Sequence, residues 1–148
     1  MRLLLDAMLG GLRSYLRMCG HDAAYALEAG VEADDELLEL TRQEDRRLVT
    51  GDRRLAARAE DAIRVESRET RPQLAELAAA GIELALPASP ERCGACNGRL
   101  TRVDSGTETP TEAPDPGRTA VCACRDCGQL FWKGSHWDRV ADTLADID

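Results

Sequence analysis

Aromatic side chains are scarce in this sequence, with two Trp, two Tyr and one Phe among 148 residues. That excludes a core built on stacked rings, so Leu, Ala and Val must fill the interior. Lysine is rarer still: Lys133 is the single one, and every other basic side chain is an arginine apart from His21 and His136. Long apolar runs are missing. Leu3-Leu4-Leu5 ends at Asp6, far short of the roughly 20 residues that span a bilayer or of a signal-peptide apolar region. The expectation is a cytoplasmic protein with no membrane partner. An excess of positive charge is also lacking. The formal net charge is −8, and neither the chain up to Glu91 nor the remainder is net positive. This excludes a strong nonspecific binder of nucleic acid, but not an enzyme that meets phosphates through a few arginines and a cation.

What is present is a short-period alternation of strand and helix patterns. Leu3–Leu5 predicts a buried strand. From Met8 to Cys19 the apolar residues Met8, Leu9, Leu12, Tyr15, Leu16 and Cys19 recur at about 3.6 residues, predicting an amphipathic helix with Arg13 and Arg17 on another face and Gly20 as its stop. Residues 23–27 predict a second strand, and Asp34 or Asp35 opens a helix with Leu37, Leu38 and Leu40 on its apolar face. Strands at 47–50 and 63–66, and helices at 53–60 and 72–80, continue the alternation, and 82–86 reads as a last extended segment. Such order indicates βαβ units and a parallel sheet, hence an α/β domain over residues 1–88. The character then changes. Residues 89–140 carry most of the cysteines, interrupted at 104–119 by a Pro-, Thr-, Gly- and acid-rich stretch that predicts a flexible loop. A short acidic helix is expected over 138–148.

Cys93-Gly-Ala-Cys96 and Cys124-Arg-Asp-Cys127 are two C-x-x-C pairs, each with glycine close behind. Four thiolates in two such knuckles match the tetrahedral arrangement of a structural zinc site, which leaves no open coordination position for chemistry. Disulfides do not suit a reducing compartment. Cys19, on the apolar helix face, reads as core. Cys122, in C-x-C spacing with Cys124, is the second choice as a ligand.

Asp6, Asp34 and Asp52 each fall where a strand has ended or a helix begins. In a parallel sheet those ends converge on one edge, where ligands bind. Three carboxylates there would repel unless a hard cation such as Mg²⁺ or Mn²⁺ joined them. The plainer reading makes each acid a helix N-cap, and Asp35 could exchange roles with Asp34.

The stretches LLLDAMLGGLRSYLRMCGHDAAY, DDELLELTRQEDRRLVTGDRRLA, RCGACNGRL and CRDCGQLFWKGSHW resemble the Mut-seven C-terminal RNase family, over nearly the whole chain from Arg2 to Arg139. The resemblance implies a PIN-like ribonuclease domain followed by a C-terminal zinc ribbon. It implies that Asp6, Asp34 and Asp52 hold Mg²⁺ or Mn²⁺ for hydrolysis of RNA, with Asp52 as the acid of Thr50-Gly51-Asp52. The sequence departs from the family's pattern at Gly51, where arginine is common, and at His21, where an aromatic residue is more usual. Arg13, Arg17, Arg53 and Lys133 are then the candidates to meet RNA phosphates. Phe131 to Trp137 reads either as a surface for stacking bases or as an apolar plug that docks the ribbon. The function expected is a metal-dependent ribonuclease. The competing reading is a noncatalytic RNA- or protein-binding adaptor held together by zinc, its acids serving as caps.

Overall fold

The computed structural model describes residues 1–147. Four short strands, β1 (Arg2–Leu5), β2 (Asp22–Tyr25), β3 (Arg47–Thr50) and β4 (Ile63–Arg64), form a sheet in the order β2-β1-β3-β4 with every pair parallel. Both faces are covered, which is why Leu3, Leu4 and Leu5 are all fully buried in the central strand. Pleating sends Leu3 and Leu5 to one face with Leu9, Leu12, Leu16, Leu74 and Leu77. Leu4 goes to the other with Leu37, Leu38, Leu48 and Leu55. The first face is therefore packed by α1 (Arg13–Met18) and α4 (Thr70–Ala79), the second by α2 (Asp34–Glu44) and α3 (Arg53–Arg58).

The single helix expected from Met8 to Cys19 is broken in two. Residues Ala7–Leu12 form a 3-10 helix with a kink at Leu9, and only then does α1 begin. Gly10 and Gly11 explain the break, because glycine weakens a helix and both are needed where they stand. A Cβ on Gly10 would lie 2.8 Å from the Tyr25 hydroxyl, and one on Gly11 2.7 Å from Thr70 Oγ1. Gly20, at φ +89°, stops α1 as anticipated. Residues 82–86 form no strand; Ile82 is instead buried against the first face.

A second, antiparallel sheet joins β5 (Leu100–Arg102), β6 (Cys122–Cys124) and β7 (Leu130–Phe131) in that order. Residues 104–119 make an excursion of turns and bends between β5 and β6. The terminal helix, α5 (Ser135–Ala145), starts three residues earlier than expected. Rather than trailing in solvent, it buries Val140 and Leu144 in the same core as Leu3 and Leu16.

Candidate functional site

From β1 the chain crosses to β2 on one side, and later places β3 on the other. The connections leaving the neighbours β1 and β3 therefore diverge to opposite faces, the topology that in parallel sheets places ligands beyond the C-terminal strand ends. Asp6 follows β1 directly and Asp52 follows β3 after Gly51, so both acids stand at this edge. The fully buried Thr50 connects them: its hydroxyl donates to Asp6 Oδ2 at 2.7 Å and accepts the Asp52 N–H at 3.0 Å. Each acid also caps a helix. Asp6 Oδ1 accepts the Ala7 N–H at 2.7 Å, and Asp52 Oδ1 accepts the N–H groups of Arg54 and Leu55 at 2.9 and 3.2 Å.

Asp34 stands on the first turn of α2, exposed, but the cap position belongs to Ala33. Its neighbour Asp35 is tied to Arg58 of α3, whereas the Asp34 carboxylate accepts no hydrogen bond among the described residues. That separates two acids which spacing alone left interchangeable. Among the described residues, no three of these carboxylates bring oxygens within 4.8 Å of one another; the one group to do so with its ligand atoms is the cysteine cluster.

The basic residues fall into different surroundings. Arg13 lies on the Tyr25 ring, 4.9 Å from its centroid, and pairs with Glu28 at 3.2 Å. Tyr25 in turn donates to the Ala7 carbonyl at 2.6 Å, which sets Arg13 near the edge that holds Asp6. Arg53 is exposed beside Asp52 and makes no ion pair among the described residues. Lys133 is exposed and sits 5.7 Å from the Trp137 ring centroid. Arg17 corrects the expectation drawn from helix periodicity. It is 1% exposed and spends its donors on the Ala23 carbonyl, the Gly94 carbonyl and Glu28 at 2.9, 3.0 and 2.7 Å. No donor is left turned to solvent for a phosphate. Sequence reading missed Glu28, which gathers both Arg13 and Arg17, and the linking hydroxyl of Thr50, whose only signal was the Thr-x-Asp spacing.

The four cysteines of the two knuckles meet. Their sulfurs all lie within 4.8 Å of one another, with Cys93 to Cys127 at 3.6 Å and Cys96 to Cys124 at 3.4 Å. Four sulfurs about 2.3 Å from one zinc stand about 3.8 Å apart, so this cluster could hold a metal ion such as zinc. Burial opposes ionisation of Cys124, but the N–H groups of Cys127 and Asp126 and the neighbouring thiols outweigh it and bring its pKa down to about 7. Gly98 is required here, since a Cβ would lie 2.7 Å from the Cys124 sulfur. Cys19 and Cys122 stand apart from the cluster; burial, then the charge of Glu83, pushes the Cys19 thiol up to about 11.

The ribbon is fastened to the parallel sheet at β2. Asn97, at φ +71°, accepts the Ala23 N–H at 3.0 Å and donates to Asp22 at 2.7 Å. Asp22 also receives Arg46 at 2.7 Å. Burial would raise the Asp22 pKa, yet the bonds from Arg46 and Asn97 prevail and lower it. A groove of about 790 Å³ opens at the opposite, N-terminal edge of the sheet, but its Arg46, Arg47 and Arg58 are occupied by Glu44, Asp61 and Asp35. It is remote from Asp6 and Asp52.

Comparison with known proteins gives one family: the profile described as the Mut7-C RNAse domain matches residues 1–144. No curated protein and no solved structure gives a significant match.

Proposed function

We propose that the chain, which belongs to the Mut7-C RNAse domain family, is a ribonuclease that hydrolyses RNA phosphodiester bonds at the edge where β1 and β3 end. On this reading residues 1–88 form a PIN-like nuclease domain and residues 89–140 a zinc ribbon. The observation that carries it is the Thr50 hydroxyl linking the Asp6 carboxylate to the backbone N–H of Asp52 at a topological switch point. Asp6, Asp34 and Asp52 would hold Mg²⁺ or Mn²⁺, and the donor set suits a hard cation: all ligands are carboxylate oxygens, and Asp34 has none of them engaged. Such an ion supplies an activated water and charge against the developing anion. Thr50 holds the Asp6 carboxylate, and the N–H groups of Arg54 and Leu55 hold that of Asp52, while the exposed Asp34 would have to approach them to share a cation. Arg13 and Arg53 stand on either flank to meet phosphates, with Lys133 further out on the ribbon. Cys93, Cys96, Cys124 and Cys127 would hold a structural zinc.

One observation favours the adaptor reading instead: Asp6 and Asp52 are genuine helix caps, so their presence has a structural cause. Cleavage of a mixed-sequence single-stranded RNA with Mn²⁺ decides between them, comparing wild type with Asp6→Asn and Asp52→Asn and checking zinc content throughout. Cleavage by the wild type that both variants lose, with zinc retained, is the expected result. Equal cleavage in all three would place the chemistry elsewhere, and none in any would leave the adaptor.

A further inference from the structure

A cleft of about 260 Å³ opens between α1 and the ribbon, lined by Met18, Arg92, Phe131, Trp132, His136 and Trp137. Its composition is unlike the rest of the molecule. Both tryptophans and the only phenylalanine of the chain are gathered here, and none of the three is fully buried. Trp137 packs partly on the main core, but Trp132 and Phe131 do not belong to either core cluster. Aromatic side chains this rare, held half-exposed around one concavity, offer flat apolar faces to a ligand. A cation stands at its rim: the exposed Lys133 lies 5.7 Å from the Trp137 ring centroid, whereas Arg92, which also lines the cleft, is held by the Asn97 carbonyl and Asp22. Ser14 of α1, the neighbour of Arg13, also lines the cleft.

We propose that this cleft holds one nucleobase of a bound RNA strand, stacked on Trp132, with the exposed Lys133 attending its phosphate. A flat heterocycle next to an anionic backbone is the chemistry that half-buried rings flanked by a cation recognise. The site takes any base, because the faces that bind it are apolar and read no edge. It lies on the ribbon side of α1, away from the acids, so it grips the strand a few nucleotides from the bond to be cut. The ribbon thereby contributes to substrate binding as well as to stability. This inference rests on RNA as the partner proposed above, but not on cleavage.

Both tryptophans of the chain line the cleft, so tryptophan emission reports on a base that enters it. The zinc-loaded full chain carrying Asp52→Asn is titrated, without divalent cation, with a short single-stranded oligoadenylate and with an abasic strand of equal length. The expected result is quenching by the oligoadenylate and little by the abasic strand. Trp132→Leu should weaken oligoadenylate binding about tenfold, read by anisotropy of a labelled strand, and Trp132→Phe should restore most of it. Zinc content and far-UV spectra of the variants show whether they fold. Unchanged affinity in a folded Trp132→Leu protein, or equal binding and quenching by the abasic strand, would overturn the base pocket while leaving Mn²⁺-dependent cleavage by the wild type to stand. Absence of both RNA binding and cleavage in every form would sink the pocket and the ribonuclease reading together.

Discussion

Asp52 accepts N–H groups from Arg54 and Leu55, and an asparagine in its place can accept the same bonds. Asp52→Asn should therefore keep the unfolding free energy from urea denaturation within a few tenths of a kcal/mol of wild type while removing the charge that a cation needs. Asp52→Ala should lose the cap as well, costing about 1 kcal/mol. A large loss of stability in the asparagine variant would show that the charge itself is structural. Arg17 makes the opposite case. Its guanidinium is buried among two carbonyls and Glu28, so Arg17→Ala should destabilise the fold by about 3 kcal/mol in urea denaturation by stranding those acceptors. Arg17→Lys should rescue little, because an ammonium cannot span three directions as the planar fork does. Helix periodicity placed Arg17 on a polar face, and that inference was sound for an isolated helix. The ribbon and β2 close over that face, which spacing along α1 could not reveal.

At the scale of elements, β2 is an edge strand whose exposed side is closed by one residue of the ribbon, Asn97. Asn97→Gly tolerates the left-handed backbone but removes the bonds to Ala23 and Asp22, and a loss of about 1–2 kcal/mol is expected. Asp22 adds a pH dependence with a definite sign. Burial raises its pKa, but the bonds from Arg46 and Asn97 win and depress it. A depressed carboxyl stabilises the fold above its unfolded pKa of about 3.9 and loses that contribution as pH falls through the lower folded value. The stability difference between wild type and Asp22→Asn should thus be full near neutrality and narrow below about pH 4. Taking the difference cancels proton competition at the cysteines, which both proteins share. A difference that persisted unchanged in acid would show that Asp22 acts through shape rather than charge.

Over the whole molecule, the four cysteines do not stabilise the ribbon alone. Arg17 reaches Gly94, Asn97 reaches Ala23, and α5, which follows the ribbon, returns Val140 and Leu144 to the main core. Chelating the zinc proposed at these cysteines should lower the thermal midpoint of the entire far-UV transition, with tryptophan fluorescence changing in the same step. A separate early transition, leaving the parallel sheet at its original midpoint, would show that the two sheets unfold independently. The small size of each strand makes the shared transition the physical expectation, since a four-stranded sheet of such short strands has little cooperativity to spare.

The sequence by itself determined the order of strands and helices up to residue 80 and the pairing of the two C-x-x-C knuckles, because both follow from short-range spacing, but not the three ribbon strands. It also marked Asp6 and Asp52 as acids at strand ends, since a strand of three leucines must stop where a charge appears. It did not determine the break at Leu9, the start of α5 or the absence of a strand at 82–86, all of which depend on what packs against those residues. Nor did it tell Asp34 from Asp35, or an exposed Arg13 from a buried Arg17. Only the tertiary structure gives them different surroundings, by bringing Arg58 to Asp35 and the Gly94 and Ala23 carbonyls to Arg17. It likewise set Phe131, Trp132 and Trp137 around one cleft while Tyr25 went to the core. Each of those outcomes depends on contacts between residues distant in sequence, and no local pattern carries them.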